Sequence, residues 1–403
     1  MHILMIADGR SPTAQRWLAG VAALQHRITL VSTYPCPPLA EAEATHILPV
    51  AFSAMGGSQA GGASGRQERA GLKRQALGRG RGWLQMARYW LGPLTLPFYA
   101  RQLDKIIADV QPDLVHALRI PFEGMLAAAS SSTVPLAVTI WGNDLSLHAV
   151  QNPWMSALTR RTLQRANGLA ADVRRDIRMG QAWGFTPDRP SLVAPGSGGI
   201  DLGEMHRLRQ EVPPGLAADL PQDTPLVVNP RGLRPGYVRN DVFFEAIPLV
   251  LQHRPEVIFA CASMAGQVEA LDWVRRLGIE HSVRLLPYLS QPELWGIFRR
   301  AAVSVSVSVH DGTPNTLLEA MACGCFPVVG DLESLREWIT PGINGLLVEP
   351  AKPQALAEAV LLALEKPELR ARAAELNLDL VQQRAEVGLV RSQIEVFYRR
   401  LAP

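Results

Sequence analysis

The sequence predicts an α/β protein built as two doubly wound parallel-sheet domains. Two observations carry that expectation. Short, nearly continuous apolar runs recur along 403 residues, the pattern of strands buried on both faces. Stretches of helical periodicity separate them, which makes the connections crossovers and the sheets parallel. The length exceeds one ordinary domain.

In the first half HILMIA, RITLVST, PDLVHAL and PLAVTIWG read as strands. In the second, PLVVNP, EVIFACAS, SVRLLPYL, AVSVSVSV and FPVVGD do. The glycines of LVAPGSGGIDLGEM mark the boundary near residue 200. That gives domains at 1–200 and 201–384, with a last amphipathic helix at about 385–403 packing back onto the first. The stretch from 53 to 82 is rich in Gly and Ser and then basic, and reads as a loop leading into a helix near Trp83.

Composition excludes several classes. A net charge of +3 with 19% charged residues is too small a balance for nucleic-acid binding. Four cysteines are too few for a disulfide scaffold and fit a reducing, cytoplasmic setting. Cys323 and Cys325 lack a second pair or a histidine cluster, so they read as packing residues and no metal site is expected. The apolar opening MHILMIADG has no basic flank and reads as a buried strand. No apolar run approaches the length of a transmembrane helix.

The chemistry concentrates in VHDGTPNTLLEAMACGCFPVVGD. Ligands of doubly wound sheets sit at the carboxyl edge of the strands, where His310, Asp311 and Gly312 fall. Thr313 is placed to cap a helix whose first position suits Pro314. The amides of Asn315, Thr316 and Leu317 then point at an anion, phosphate above all. Asp311 and Glu319 are eight positions apart, and as carboxylates they accept hydrogen bonds from neutral hydroxyls. A phosphate flanked by hydroxylated groups describes a nucleotide sugar. Taken alone, the same residues also read as a turn aspartate and a surface glutamate.

The pattern D-G-x-P-x-x-x-L-E-A-M-A-C-G-x-x-P-V-V, with ESLREWI, PGINGLLVEP and PYLSQPELWGIFRRA, resembles the family 4 retaining nucleotide-sugar glycosyltransferases of GT-B fold. The resemblance implies two Rossmann-like domains facing across a cleft, with the acceptor in the first and the donor in the second. Family members usually carry two glutamates at this spacing; here the first is Asp311.

The resemblance also implies a basic partner for the diphosphate in VVNPRGLRPGYVRND. Arg231 or Arg234 matches the family arginine, and Arg239 stands near the place of its lysine. Gly9 matches a small-residue loop of the family after the first strand, and Arg10 beside it reads as an acceptor contact. His116 matches a strand-end histidine of the family and reads equally as a histidine packed at a strand end; Asp144, at the next strand end, reads equally as a contact to acceptor hydroxyls or as an interior residue. The donor base is expected on the backbone near Leu286–Leu289, with Pro287 and Tyr288 at its side.

The activity so implied is transfer of a hexose from a UDP- or GDP-linked donor, with retention and without a metal or other cofactor, to a glycan or lipid-linked acceptor. Cell-surface polysaccharide or glycolipid synthesis is the setting that follows. Arg66, Arg69, Lys73, Arg74, Arg79, Arg81 and Arg88 beside Trp83, Tyr89 and Trp90 suit contact of 66–91 with the anionic inner face of a membrane, or a flap over the acceptor groove. Two other readings keep the fold: a non-catalytic binder of nucleotide sugar or glycan, and a nucleotide-sugar epimerase. A phosphorylase would want a cofactor lysine, and the second half holds only Lys352 and Lys366.

Overall fold

The computed structural model describes residues 1–55, 86–208, 214–217, 220–234 and 236–402. It resolves into two compact units, one of Met1–Gly198 with Val390–Pro403 and one of Gly199–Leu389.

The first unit holds strands β1 (His2–Ala7), β2 (Arg27–Ser32), β3 (Ala44–Ile47), β4 (Leu114–Ala117), β5 (Leu136–Ile140), β6 (Gly168–Ala171) and β7 (Ser191–Val193). They form one seven-stranded parallel sheet in the order β3-β2-β1-β4-β5-β6-β7. The predicted strands are buried along nearly their whole length, as a sheet covered on both faces requires.

Strands β3, β6 and β7 carry too weak a pattern to be read from sequence. β3 is a half-exposed edge, and β7 has three residues. β6 is GLAA, apolar but small, because the helix Val387–Leu401 lies directly on it. A Cβ at Gly168 would sit 2.6 Å from Leu401 Cδ1. The same helix delivers Tyr398, whose hydroxyl accepts from Trp17 Nε1 at 3.1 Å and meets His116 Nδ1 at 2.8 Å.

The second unit holds β8 (Leu226–Asn229), β9 (Ile258–Cys261), β10 (Val283–Leu285), β11 (Val303–Ser306), β12 (Phe326–Gly330) and β13 (Leu346–Val348). These make a six-stranded sheet, β10-β9-β8-β11-β12-β13, parallel throughout. Its core is Val227, Phe244, Phe259, Val303, Val305, Phe326 and Val328, with helices on both faces. Two doubly wound parallel sheets are thus the architecture the sequence predicts.

Regular strand β11 stops at Ser306, three residues short of the end its alternating pattern suggests. Residues 307–309 turn to another partner. Val238 bridges Ser308 antiparallel, Arg239 N–H donates to Val307 O at 2.9 Å, and Val309 N–H donates to Tyr237 O at 2.8 Å. This short ladder ties the loop after β8 to the loop after β11.

Candidate functional site

The carboxyl edge of the second sheet gathers the residues singled out by sequence. β8 ends on Asn229, a buried polar residue in an apolar strand. Its side-chain oxygen accepts Arg231 N–H at 3.1 Å, and its amide nitrogen donates to Asn240 Oδ1 at 3.2 Å. Asn240 in turn donates to Gly232 O at 3.1 Å. Gly232 has φ +65°, a left-handed turn that glycine takes without a Cβ penalty. Two asparagines and one glycine therefore fix the arginine loop.

That loop brings Arg231 onto Asp311. Arg231 Nη1 lies 3.0 Å from Asp311 Oδ2, with both side chains largely buried. Burial opposes the guanidinium charge, but Asp311 and Tyr237 outweigh it and push its pKa above the ordinary arginine value. Ser308 Oγ, fully buried, donates to the same Asp311 oxygen at 3.1 Å. Asp311 is held at the backbone as well, by Ser334 Oγ–H on its carbonyl at 2.7 Å. Gly330 permits that close packing: a Cβ there would fall 2.7 Å from Ser308 O.

The helix Asn315–Ala322 starts beside this pair. Its cap differs from expectation. Pro314 occupies the cap position, and Thr313 Oγ1 instead accepts Trp338 Nε1–H at 2.8 Å. Leu317 is also not a free donor, since its N–H bonds Pro314 O at 2.9 Å. The amides of Asn315 and Thr316 lead the helix, where no intrahelical acceptor exists. Thr316 Oγ1 is buried with no hydrogen-bond partner. Gly312 is buried in the turn between Asp311 and Thr313. Glu319 is buried, and its Oε1 accepts from Gln291 Nε2 at 2.7 Å.

The other two loop arginines point elsewhere. Arg234 is exposed, with Nε on Arg231 O at 3.1 Å. Arg239 turns back on Asp241 in the first turn of the helix Asn240–Leu251, at 2.7 Å, and that bond raises its pKa. The backbone expected to read a base is partly engaged within the unit. Leu286 O accepts Met264 N–H at 3.0 Å and Ala265 N–H at 2.9 Å, and Pro287 O accepts Ser263 N–H at 3.0 Å. Tyr288 stands out beside them at 60% exposure. Cys323 and Cys325 pack into the apolar core of this unit; burial pushes the Cys323 thiol up to about 12.

In the first unit three expected site residues belong to the interior or to ion pairs. His116 is fully buried: Nδ1 meets Tyr398 and Nε2 meets Thr139 Oγ1, each at 2.8 Å. Burial lowers its pKa to about 3, so it stays neutral and reaches no ligand. Asp144 is equally buried. It accepts from Arg119 Nε at 2.9 Å, Ile120 N at 3.1 Å and Trp141 N at 3.2 Å, which leaves no room for an acceptor hydroxyl. Arg10 is paired with Asp8 at 3.0 Å and lies over the Tyr34 ring at 3.8 Å. Gly9 is needed for close approach, since a Cβ would meet Cys36 Sγ at 2.5 Å. Residues 66–85 of the expected membrane edge lie outside the described residues.

Sequence reading missed Asn229, Asn240, Ser308, Ser334, Trp338 and Gln291, all of which hold the site rather than face it. The only signal was polar residues closing apolar strands, as in VVNP and SVSV. Glu123 was missed too. It is buried, with Oε1 accepting from Thr33 Oγ1 at 2.7 Å and burial pushing its carboxyl up.

The burial of His116 has a pH signature. The folded chain keeps it neutral down to about pH 3, while the unfolded chain protonates it below its ordinary 6.5. Its contribution is therefore complete above 6.5 and is lost as pH falls from there toward 3, at about 1.4 kcal/mol per pH unit. Urea denaturation at pH 7 and about pH 5 should show the native chain losing about 2 kcal/mol more than His116→Gln. Equal losses would remove the buried neutral imidazole.

Two Rossmann-like units, one with an arginine–carboxylate pair beside a helix start at the sheet's carboxyl edge, define the GT-B class. Family models agree. "Glycosyl transferases group 1" matches residues 230–366, and "Glycosyl transferase 4-like" matches residues 86–172. Similar solved structures include sucrose-phosphate synthase from Thermosynechococcus elongatus, with a TM-score of 0.72 at 16% identity, covering 100% of this chain and 99% of that one. The Anabaena protein HepE, solved in complex with UDP-glucose, gives 0.69 at 17% identity with 100% of both chains covered. The D-inositol 3-phosphate glycosyltransferase of Thermobispora bispora is 27% identical over 212 residues, 50% of this chain and 48% of that protein. An uncharacterized glycosyltransferase of Methanocaldococcus jannaschii is 30% identical over 122 residues, 30% of this chain and 31% of that protein. The chain spans about half the length of the first of these curated relatives. The fold is the GT-B fold, and the stretches 86–172 and 230–366 match family models of glycosyl transferases.

Among the described residues no group of three or more His, Cys, Asp or Glu is placed to hold a metal ion, and no helix is long and apolar enough to cross a membrane.

Proposed function

We propose that this chain is a retaining glycosyltransferase that moves a hexose from a UDP- or GDP-linked donor to a hydroxyl of a glycan or lipid-linked acceptor. The second unit takes the donor and the first the acceptor. The observation that carries this reading is the Arg231–Asp311 pair beside the start of the helix Asn315–Ala322.

Arg231 and the amides of Asn315 and Thr316 meet the diphosphate, whose charge grows as the glycosidic bond breaks. A helix start adds a fixed dipole worth up to about 2 kcal/mol toward an anion. Asp311 and Glu319 accept from hydroxyls on either side of it. Arg231 and Ser308 already hold one Asp311 oxygen, which suits a carboxylate that positions a sugar better than one that attacks its anomeric carbon. The acceptor oxygen then attacks on the face the diphosphate leaves, its proton passes to a diphosphate oxygen, and the anomeric configuration is kept. The cationic and amide groups supply the charge that a metal otherwise supplies. Relatives named for D-inositol 3-phosphate make a polyol phosphate one acceptor to include in a screen.

The test is nucleotide release from UDP-, GDP- and ADP-sugars with excess chelator present, followed by the anomeric configuration of the product by NMR. Release from one donor class and a retained product are the expected results. An inverted product, or activity abolished by the chelator, would defeat the mechanism. Tight binding of a donor with no release under any acceptor would leave a binding protein instead.

A further inference from the structure

The first unit's sheet has a switch point of its own. In the order β3-β2-β1-β4-β5-β6-β7 the chain runs outward from β1 to one side and from β4 to the other. Such a reversal opens a crevice outside the carboxyl ends of the central pair. Asp8 to Arg10 follow β1 there, Thr33 and Tyr34 follow β2, and Arg119 to Glu123 follow β4. Arg88, on the helical residues 86–91, reaches the same edge and lies against Tyr34 and Phe122.

Three guanidiniums meet here, and only two are balanced. Arg10 is paired with Asp8 at 3.0 Å and Arg119 with Asp144 at 2.9 Å. Arg88 has no carboxylate partner among the described residues. Two aromatic rings hold it instead. Its guanidinium carbon lies 5.1 Å from the centre of the Tyr34 ring and 5.0 Å from that of Phe122, and Nη1 donates to the Tyr34 hydroxyl. Its Nε is buried with no acceptor. Rings orient a guanidinium without neutralising it, so the charge and the fork stay available to a ligand.

The neighbouring polar groups are donors too. Glu123 is 4% exposed; its Oε1 accepts from Thr33 Oγ1 at 2.7 Å, and its Oε2 is buried with no partner. Burial pushes this carboxyl toward its neutral form. With Oε1 accepting, the proton sits on Oε2 as a donor without an acceptor. The Tyr34 hydroxyl accepts from Arg88 and keeps its own proton for another partner. The helix Pro12–Ala22 starts just past Arg10, which sets its positive end at this edge. A neutral polyol asks for acceptors as well as donors, whereas an oxyanion asks for donors alone. Three donors from separate elements suit the three terminal oxygens of a phosphate monoester better than the two of a carboxylate.

We propose that Arg88, Tyr34 and Glu123, at the switch point between β1 and β4, form a subsite for the phosphate monoester of a phosphorylated acceptor. This deepens the acceptor half of the reading above and rests on it for its purpose. Its test reads anion binding rather than turnover, so either can fail without the other.

The experiment is titration calorimetry of the full chain with glycerol 3-phosphate, glycerol and glucuronate. The native chain should bind glycerol 3-phosphate at least about tenfold more tightly than either of the others. Arg88→Gln should lower that affinity about tenfold or more, and Arg88→Lys less, because an ammonium keeps the charge and loses the fork. Tyr34→Phe, which keeps the ring and removes the hydroxyl, should lower it in the same direction and reads the site even if Arg88→Gln fails to fold. Flotation with phosphatidic acid vesicles separates the sources. Flotation abolished by Arg88→Gln assigns the phosphate to a lipid, and no flotation assigns it to a soluble ester. The proposal is overturned if glycerol 3-phosphate binds no more tightly than glycerol, if glucuronate binds as tightly, or if Arg88→Gln and Tyr34→Phe bind as the native chain does. Binding lost in Arg231→Gln but kept in Arg88→Gln also overturns it, since the anion then belongs to the second unit, and leaves the donor reading standing.

Discussion

Arg231→Gln should lower kcat/KM for the sugar donor by about 10²–10³, a loss of about 3–4 kcal/mol of transition-state stabilisation. Two effects combine. The diphosphate loses the one loop guanidinium directed at the site, because Arg234 lies on the Arg231 carbonyl and Arg239 is held by Asp241. Asp311 also loses the partner that aims it, and keeps only Ser308 on that oxygen. Removing one member of a buried pair destabilises the fold besides, since it leaves a charge uncompensated. Folding and chemistry therefore need separating. Arg231→Gln with Asp311→Asn removes both charges, so it should recover most of the stability lost in the single variant and none of the activity. Thermal midpoints and steady-state donor hydrolysis of the two single variants and the double complete the cycle. Single variants within threefold of the native rate, or activity effects that simply add, would break the assignment of the pair to one functional unit.

Asp144→Ala should cost about 3 kcal/mol of stability and leave donor hydrolysis intact. The Asp144 carboxylate serves three donors at once: the Arg119 guanidinium and the amides of Ile120 and Trp141. Alanine strands all three. Arg119 keeps Asn143 Oδ1 at 2.9 Å and about a quarter of its side chain in water, which limits the loss. Asp144→Asn keeps the shape and one acceptor oxygen, and should cost about half as much. Urea denaturation measures both. A change in Asp144→Ala that spares stability but abolishes transfer to acceptor would return this residue to the acceptor site.

The fold was legible because a covered parallel sheet writes itself as apolar runs, and most of the strands did so. β6 was silent for the opposite reason: a helix lying against it demands glycine and alanine, which carry no strand signal. The candidate site was legible at Asp311 and, with Arg234 as the alternative, at Arg231, where a motif places unusual chemistry at a strand end; the structure brings those two side chains together. His116 and Asp144 stayed ambiguous in the sequence because a polar residue ending an apolar strand looks the same whether it faces a ligand or locks the interior. Partners far along the chain decide between these, Tyr398 for His116 and Arg119 for Asp144. The holding residues Asn229, Asn240, Ser334 and Trp338 were invisible for the same reason, since each acts through a loop it does not belong to.

Tyr398, brought against Trp17 and His116 by a helix from the far end of the sequence, sets an order of events on the ribosome. The first unit needs residues from Val390 onward to close its interior. Everything from Gly199 to Leu389 is synthesised before them. The nascent chain thus emerges with its opening sheet unsealed at Trp17 while the second unit is being made. Whatever shields that open face until release must act over the making of the whole second unit.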